Sequence, residues 1–165
     1  MLARALQMLP RASVECVVLG DVQRGYHAQL QALDTAQALH FAGPYRQEDL
    51  PEYLAKVDVV VVPSIWEDCA PLVVAEALAA RAPVIGSRIG GIPDFVEHGV
   101  NGLLFALGDA AGLARCLCAF ADDRGLLGRM QSAIAAPAGF GAYVEAMLGV
   151  YTARPSRMAF GRLDD

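Results

Sequence analysis

Residues Val59–Arg81 read VVVVPSIWEDCAPLVVAEALAAR, and this stretch decides the fold. Four consecutive valines stopped by Pro63-Ser64 make a short strand that is apolar on both faces. A loop, Ile65 to Ala70, leads to Pro71 at the first turn of a helix, where the missing N–H costs nothing. The helix, Leu72–Arg81, is apolar apart from Glu76 and its terminal arginine. A doubly buried strand running straight into a helix is the repeating unit of a parallel sheet.

The same unit recurs in both directions. The sequence predicts strands at Val14–Leu19, Leu39–Ala42, Val57–Val62, Pro83–Gly86 and Gly102–Phe105, most of them followed by Gly or Pro. Between them it predicts helices at Tyr26–Ala38, Gln47–Lys56, Leu72–Arg81 and Ala110–Asp122, with a short turn near Asp94–Glu97. The alternation implies an α/β domain built on a Rossmann-like, doubly wound parallel sheet. Right-handed crossovers then gather the strand C-termini on one edge, where ligands bind. Residues Leu2–Leu9 read as the tail of a helix, as though the chain opened inside a βαβ unit. Gly139–Tyr151 fits an amphipathic helix, and the domain is expected to span 1–151. Residues 152–165 carry no periodicity and read as a frayed or cut-off tail.

The bulk properties narrow the function. The 165 residues suit one domain, and 55% are hydrophobic against 19% charged, fewer charges than the roughly 25% of an average soluble domain. With a mean hydropathy of +0.38, the chain has a sheet covered on both faces, a large apolar surface awaiting a partner, or both. A net charge of −5 disfavours a nucleic-acid partner. Cys16, Cys69, Cys116 and Cys118 do not fall at metal-ligand spacing and read as reduced thiols. His27, His40 and His98 are isolated, no metal motif is visible, the stretch from Arg4 to Pro10 does not read as a signal peptide, and no apolar run reaches bilayer length. The cytosol is the default compartment.

The chemistry points to an anion. A helix N-terminus carries unpaired N–H groups and about half a positive charge, and those of Leu72 and Val73 would face the ligand edge. Asp68 and Glu76, eight residues apart, could flank one ligand, since a carboxylate offers two oxygens to adjacent sugar hydroxyls. An Asp in this place could equally cap the helix, and Glu76 could sit on an outer face. Its apolar neighbours Val73, Val74, Ala77 and Leu78 make the second alternative uncomfortable. Gly90-Gly91, after the strand at Pro83–Gly86, would allow close backbone approach to a ligand, although many ordinary turns use the same pair.

Taken together, Pro63-Ser64, Trp66, Asp68, Pro71-Leu72-Val73, Glu76-Ala77-Leu78-Ala79, Ala82-Pro83-Val84-Ile85, Ile89-Gly90-Gly91-Ile92-Pro93-Asp94 and Gly99-x-x-Gly102-Leu103-Leu104 resemble one family. It is the C-terminal domain of GT-B-fold retaining glycosyltransferases of the sucrose-synthase-like type, the glycosyl transferases group 1. Weaker matches at Leu9-Pro10 to Gly20-Asp21, Phe41-x-Gly43 and Val57-Asp58-Val59 extend the likeness over roughly residues 1–151.

The resemblance implies a UDP- or GDP-sugar donor, no metal, and transfer with retention to a glycan or lipid-linked acceptor. By the same resemblance Glu76 holds the ribose hydroxyls. Asp68 replaces the glutamate expected in the family's Glu-x7-Glu pair and faces the donor sugar. Leu72, Val73, Gly90 and Gly91 line the donor nucleotide. The family's domain opens with a strand, a Gly-Arg-Leu loop and a Lys-Gly that are not seen here. The absent strand would sit mid-sheet in a 3-2-1-4-5-6 order, so its neighbours would pair directly, stay split, or receive another chain. The acceptor-binding domain is likewise missing, which implies inactivity alone and leaves a partner chain or self-association to cover apolar surface. Peripheral attachment at the inner membrane is open for the intact enzyme, whose setting would be bacterial polysaccharide biosynthesis. Two other readings remain: a non-catalytic nucleotide-binding or assembly module, and a sugar-nucleotide epimerase of the same fold.

Overall fold

The computed structural model describes residues 1–10, 13–23, 25–35, 37–135 and 140–152. Five strands alternate with helices: α1 (Leu2–Leu6), β1 (Cys16–Leu19), α2 (Tyr26–Leu33), β2 (Leu39–Gly43), a 3-10 turn (Gln47–Asp49), α3 (Leu50–Leu54), β3 (Val60–Val62), α4 (Leu72–Ala79), β4 (Val84–Ser87), α5 (Ile92–Phe95), β5 (Gly102–Phe105), α6 (Ala110–Asp122) and α7 (Arg124–Ala133). These belong to one compact unit ending at Ala135. A further helix, α8 (Phe140–Thr152), belongs to a separate unit and exposes Leu148, Val150 and Tyr151. The expected tail beyond residue 152 lies outside the described residues.

All strand pairs are parallel, as the alternation predicts. They form two sheets: β1-β2, with Cys16 beside Leu39, and β3-β4-β5, with Val60 beside Val84 and Val84 beside Gly102. Of the three arrangements left open by the sequence, the split sheet is the one observed. Side chains of β1 (Cys16) and β3 (Val61) pack against the same core, yet the two strands do not pair with each other.

Both faces of the three-stranded sheet are covered, and strand alternation sorts the residues. Val62, Val84 and Leu104 meet Val74 and Ala77 of α4 and Ile92 of α5 on one side. Ile85 and Phe105 meet Leu6, Leu113, Leu117, Phe120 and Met130 on the other. Asp109 starts α6 by accepting the Gly112 N–H at 2.8 Å. Every residue of β4 is buried, the signature of a parallel strand between two layers of helices.

Several elements are shorter than the sequence predicts, α2, α1 and β3 most of all, and one was not foreseen. Helix α2 stops at Leu33 because the Asp34 carboxylate takes the Ala38 and Leu39 N–H groups at 3.0 and 2.9 Å, while Gln37 adopts φ +55°. That local alternative to the helical ladder starts β2 instead. Helix α1 ends at Leu6, where the chain tightens into a turn closed by Met8 N–H to Ala5 carbonyl at 3.0 Å. Strand β3 begins only at Val60, since Val57 still closes the turn after α3 and Asp58 pairs with Arg124 at 3.1 Å. Helix α7 was not foreseen. Asp123 caps it through the Leu126 N–H at 3.1 Å, and Met130 anchors it in the core.

Candidate functional site

The carboxyl edge of the three-stranded sheet is built by two loops that hold each other. After β3, the Ser64 carbonyl accepts from the Ser87 hydroxyl at 2.5 Å. Ser87 ends β4 and is fully buried, so this bond ties the two strand ends together inside the protein. Beyond it, Ile65 and Trp66 turn outward, each 73% exposed.

The loop then meets the glycine pair. Gly91 donates its N–H to the Asp68 carbonyl at 2.7 Å. A methyl group on Gly90 would lie 2.5 Å from the Asp68 oxygen, and one on Gly91 would lie 2.0 Å from the Cys69 oxygen. Gly90 also takes φ +54°, which L side chains adopt at a cost. The close backbone approach anticipated from these glycines is therefore made to the Asp68–Cys69 segment, which they fix in place.

Asp68 is exposed, and its Oδ1 accepts the Ala70 N–H at 3.1 Å. It braces its own loop and does not cap α4, whose N-cap is Pro71. The first closing bond of the helix runs from the Val74 N–H to the Pro71 carbonyl at 3.0 Å. The N–H groups of Leu72 and Val73 donate to nothing among the described residues, and both side chains stand out into solvent. Two open donors at a helix start form a ready anion seat.

Glu76 lies one turn further on, half-buried, on the same helix. Its Oε1 accepts from Nε2 of Gln47 at 2.7 Å. Gln47 opens the 3-10 turn after β2, so the segment leaving the two-stranded sheet reaches this carboxylate. Sequence reasoning placed Asp68, Leu72, Val73, Glu76, Gly90 and Gly91 around one loop–helix junction. It missed Gln47, which lies 29 positions from Glu76 and carries no local signal, and it missed the Ser87 clamp.

The other polar groups have ordinary work. His98 Nδ1 accepts the Leu104 N–H at 2.9 Å, and His27 sits edge-on to Phe41 with centroids 4.3 Å apart. Burial pushes the Cys16 and Cys116 thiols up, and Cys69 is exposed beside the site. Among the described residues no group of three His, Cys, Asp or Glu could hold a metal ion, and no helix is long and apolar enough to cross a membrane.

The domain has known relatives. Residues 1–123 match the family model for glycosyl transferases group 1. The chain is 38% identical over 124 residues to D-inositol 3-phosphate glycosyltransferase of Streptomyces avermitilis, covering 73% of this chain and 26% of that one. It therefore spans about a quarter of the length of such relatives. Among solved structures it resembles Anabaena Alr3699/HepE, crystallised in complex with UDP, with a TM-score of 0.72 and 28% identity over 81% of this chain and 38% of that chain. The same Anabaena protein has also been crystallised with UDP-glucose. The present chain shares its fold with the C-terminal domain of a glycosyl transferase group 1 family protein (LpcC) from Francisella tularensis, at a TM-score of 0.68 and 22% identity over 80% of this chain and 72% of that one.

Proposed function

The chain belongs to the glycosyl transferases group 1 family, and on that premise we propose that the loop–helix junction is the donor site of a retaining glycosyltransferase. The observation that carries this reading is the pair of open N–H groups at Leu72 and Val73, with Asp68 before them and Glu76 after them on one edge. A nucleoside diphosphate sugar sets its phosphates against those amides, its ribose diol toward Glu76 and its sugar toward Asp68. Gly90 and Gly91 act by holding the Asp68 loop against that ligand. UDP, bound by the Anabaena relative, is the first donor nucleotide to test, and GDP is the second.

Transfer with retention, which the family resemblance implies, suits the same placement. The bond between the sugar's anomeric carbon and the diphosphate oxygen breaks, and a bond to the acceptor hydroxyl forms on the same face. The departing phosphate takes the hydroxyl proton, while the α4 N-terminus stabilises the growing negative charge. A glycan or lipid-linked acceptor would be held by polypeptide beyond this domain, so the chain alone is expected to bind donor without turnover. Work at the cytoplasmic face, peripheral to the membrane, suits such acceptors.

Calorimetry with UDP, GDP and ADP tests this. Hydrogen bonds to a charged group are worth about 1.5–3 kcal/mol each, so Glu76→Ala should weaken nucleotide binding roughly tenfold to a hundredfold. Equal binding by that variant would remove Glu76 from the ribose.

A second reading is favoured by one observation. Strands β1 and β3 share a core without pairing, as in an assembly module whose sheet is completed by a strand from a partner or from a second copy. Light scattering across a concentration series distinguishes these: a monomer that binds UDP favours the donor domain, and an obligate oligomer that ignores UDP favours the module.

A further inference from the structure

Glu76 has an unusual setting for a residue meant to grip a diol. Its neighbours along its own helix, Val73, Val74, Ala77 and Leu78, are all apolar. Among the described residues its recorded hydrogen-bond partner is Gln47, through Nε2 to Oε1 at 2.7 Å. No salt bridge to Glu76 is recorded there. The partner is thus a neutral amide, which orients one oxygen without quenching the charge. A lysine or arginine at this place would satisfy the carboxylate and compete with incoming hydroxyls.

The surroundings of Gln47 are braced. Arg46, the residue before it, is a fork on its own turn: Nε and one terminal nitrogen each meet Asp49 at 3.0 Å, and the other terminal nitrogen meets Glu48 at 2.9 Å. That pairing keeps the Arg46 guanidinium engaged on its own turn. The Asp49 N–H returns to the Arg46 carbonyl at 2.9 Å, and Tyr45 packs edge-on to Tyr53 of α3 at 6.2 Å. Leu50 and Leu54 are buried and root α3 in the domain. The amide of Gln47 is therefore delivered from an anchored turn.

We propose that Gln47 is the positioning residue for Glu76: its carboxamide fixes one carboxylate oxygen so that the other stays turned to the open edge as the acceptor of a ribose hydroxyl. The proposal rests on the donor-site reading above and assigns the discrimination of ribose from deoxyribose to this pair. Free to rotate about its side-chain bonds, Glu76 alone would lose entropy on meeting the diol; held by Gln47, it has lost that freedom in advance.

The test is calorimetry on the whole 165-residue chain with UDP and with 2′-deoxyuridine diphosphate, comparing the wild type, Glu76→Ala, Gln47→Leu and Gln47→Glu. The wild type should prefer UDP by about tenfold. Gln47→Leu should weaken UDP roughly threefold to tenfold and leave the deoxy compound nearly unchanged, so that the preference collapses. Gln47→Glu sets two carboxylates at hydrogen-bond distance, where one proton becomes shared. Its UDP binding should be poor at pH 8 and recover toward pH 5.5, a profile that a merely structural contact would not give. Gln47 is exposed, and the melting temperatures of both its variants should stay near that of the wild type. If Glu76→Ala loses the preference while Gln47→Leu keeps it, the positioning role is wrong and the donor site stands. If UDP does not bind, or Glu76→Ala binds as the wild type does, the donor-site reading falls and takes this proposal with it.

Discussion

The two sheets use similar residues and end in different environments. In β4, Val84, Ile85, Gly86 and Ser87 are all buried. In β1, Cys16-Val17-Val18-Leu19 is no less apolar, yet none of its residues is fully buried and Val17 is 51% exposed. The helices differ in the same way. Helix α4 buries Val74 and Ala77, whereas α2 buries nothing. Apolar sequence makes a strand, but neighbours on both edges and layers on both faces make it a core. The three-stranded half has them all at β4, and the two-stranded half does not.

The largest effect should separate the halves directly. Ile85→Ala empties a fully buried position and should cost about 3–4 kcal/mol in urea unfolding, whereas Val17→Ala should cost less than about 1 kcal/mol. Equal losses would break the contrast. Next, Gly91→Ala drives a methyl group into the Cys69 carbonyl and should destabilise by roughly 2–3 kcal/mol. Because the Asp68 loop must move, it should also weaken UDP binding, read by calorimetry. Ser87→Ala removes the buried clamp on the Ser64 carbonyl and should cost about 1–2 kcal/mol, sharpening the role of the β3–β4 junction.

Acid gives the smallest effect. Hydrogen bonds from Arg46 hold the Asp49 carboxyl below its ordinary value, and those from Arg129 do the same for Asp123, one pair on each side of the contrast. A lowered carboxylate stabilises the fold above its unfolded pKa, and that contribution fades as pH falls through the folded value. Thermal melts of Asp49→Asn and Asp123→Asn should differ slightly from the wild type at pH 7 and converge with it below about pH 4. Both pairs are exposed, so neither difference should be large.

Much of this was legible in the sequence because the carrying signals are local. Strand β5 and helix α6 occupy the residues that periodicity gives them, Gly102–Phe105 and Ala110–Asp122. The strand, loop and helix start from Pro63 to Glu76 were readable because they lie in one continuous segment. The misreadings come from side chains that act on the backbone. Asp34 ended α2 early by offering its carboxylate to two amides, and Asp123 began α7 by taking the Leu126 N–H. Gln47 was invisible for a different reason. Its meaning lies in a contact made across the fold, and nothing in the turn that carries it announces Glu76.

The order of the strands along the chain carries a last consequence. Each sheet is drawn from an uninterrupted stretch, 16–43 for one and 60–105 for the other, with no strand of either threaded through its counterpart. Each can zip up from its own local crossovers without waiting for the other, and each can open by itself. Amide exchange should therefore resolve two cooperative steps, the N-terminal pair releasing its protons first.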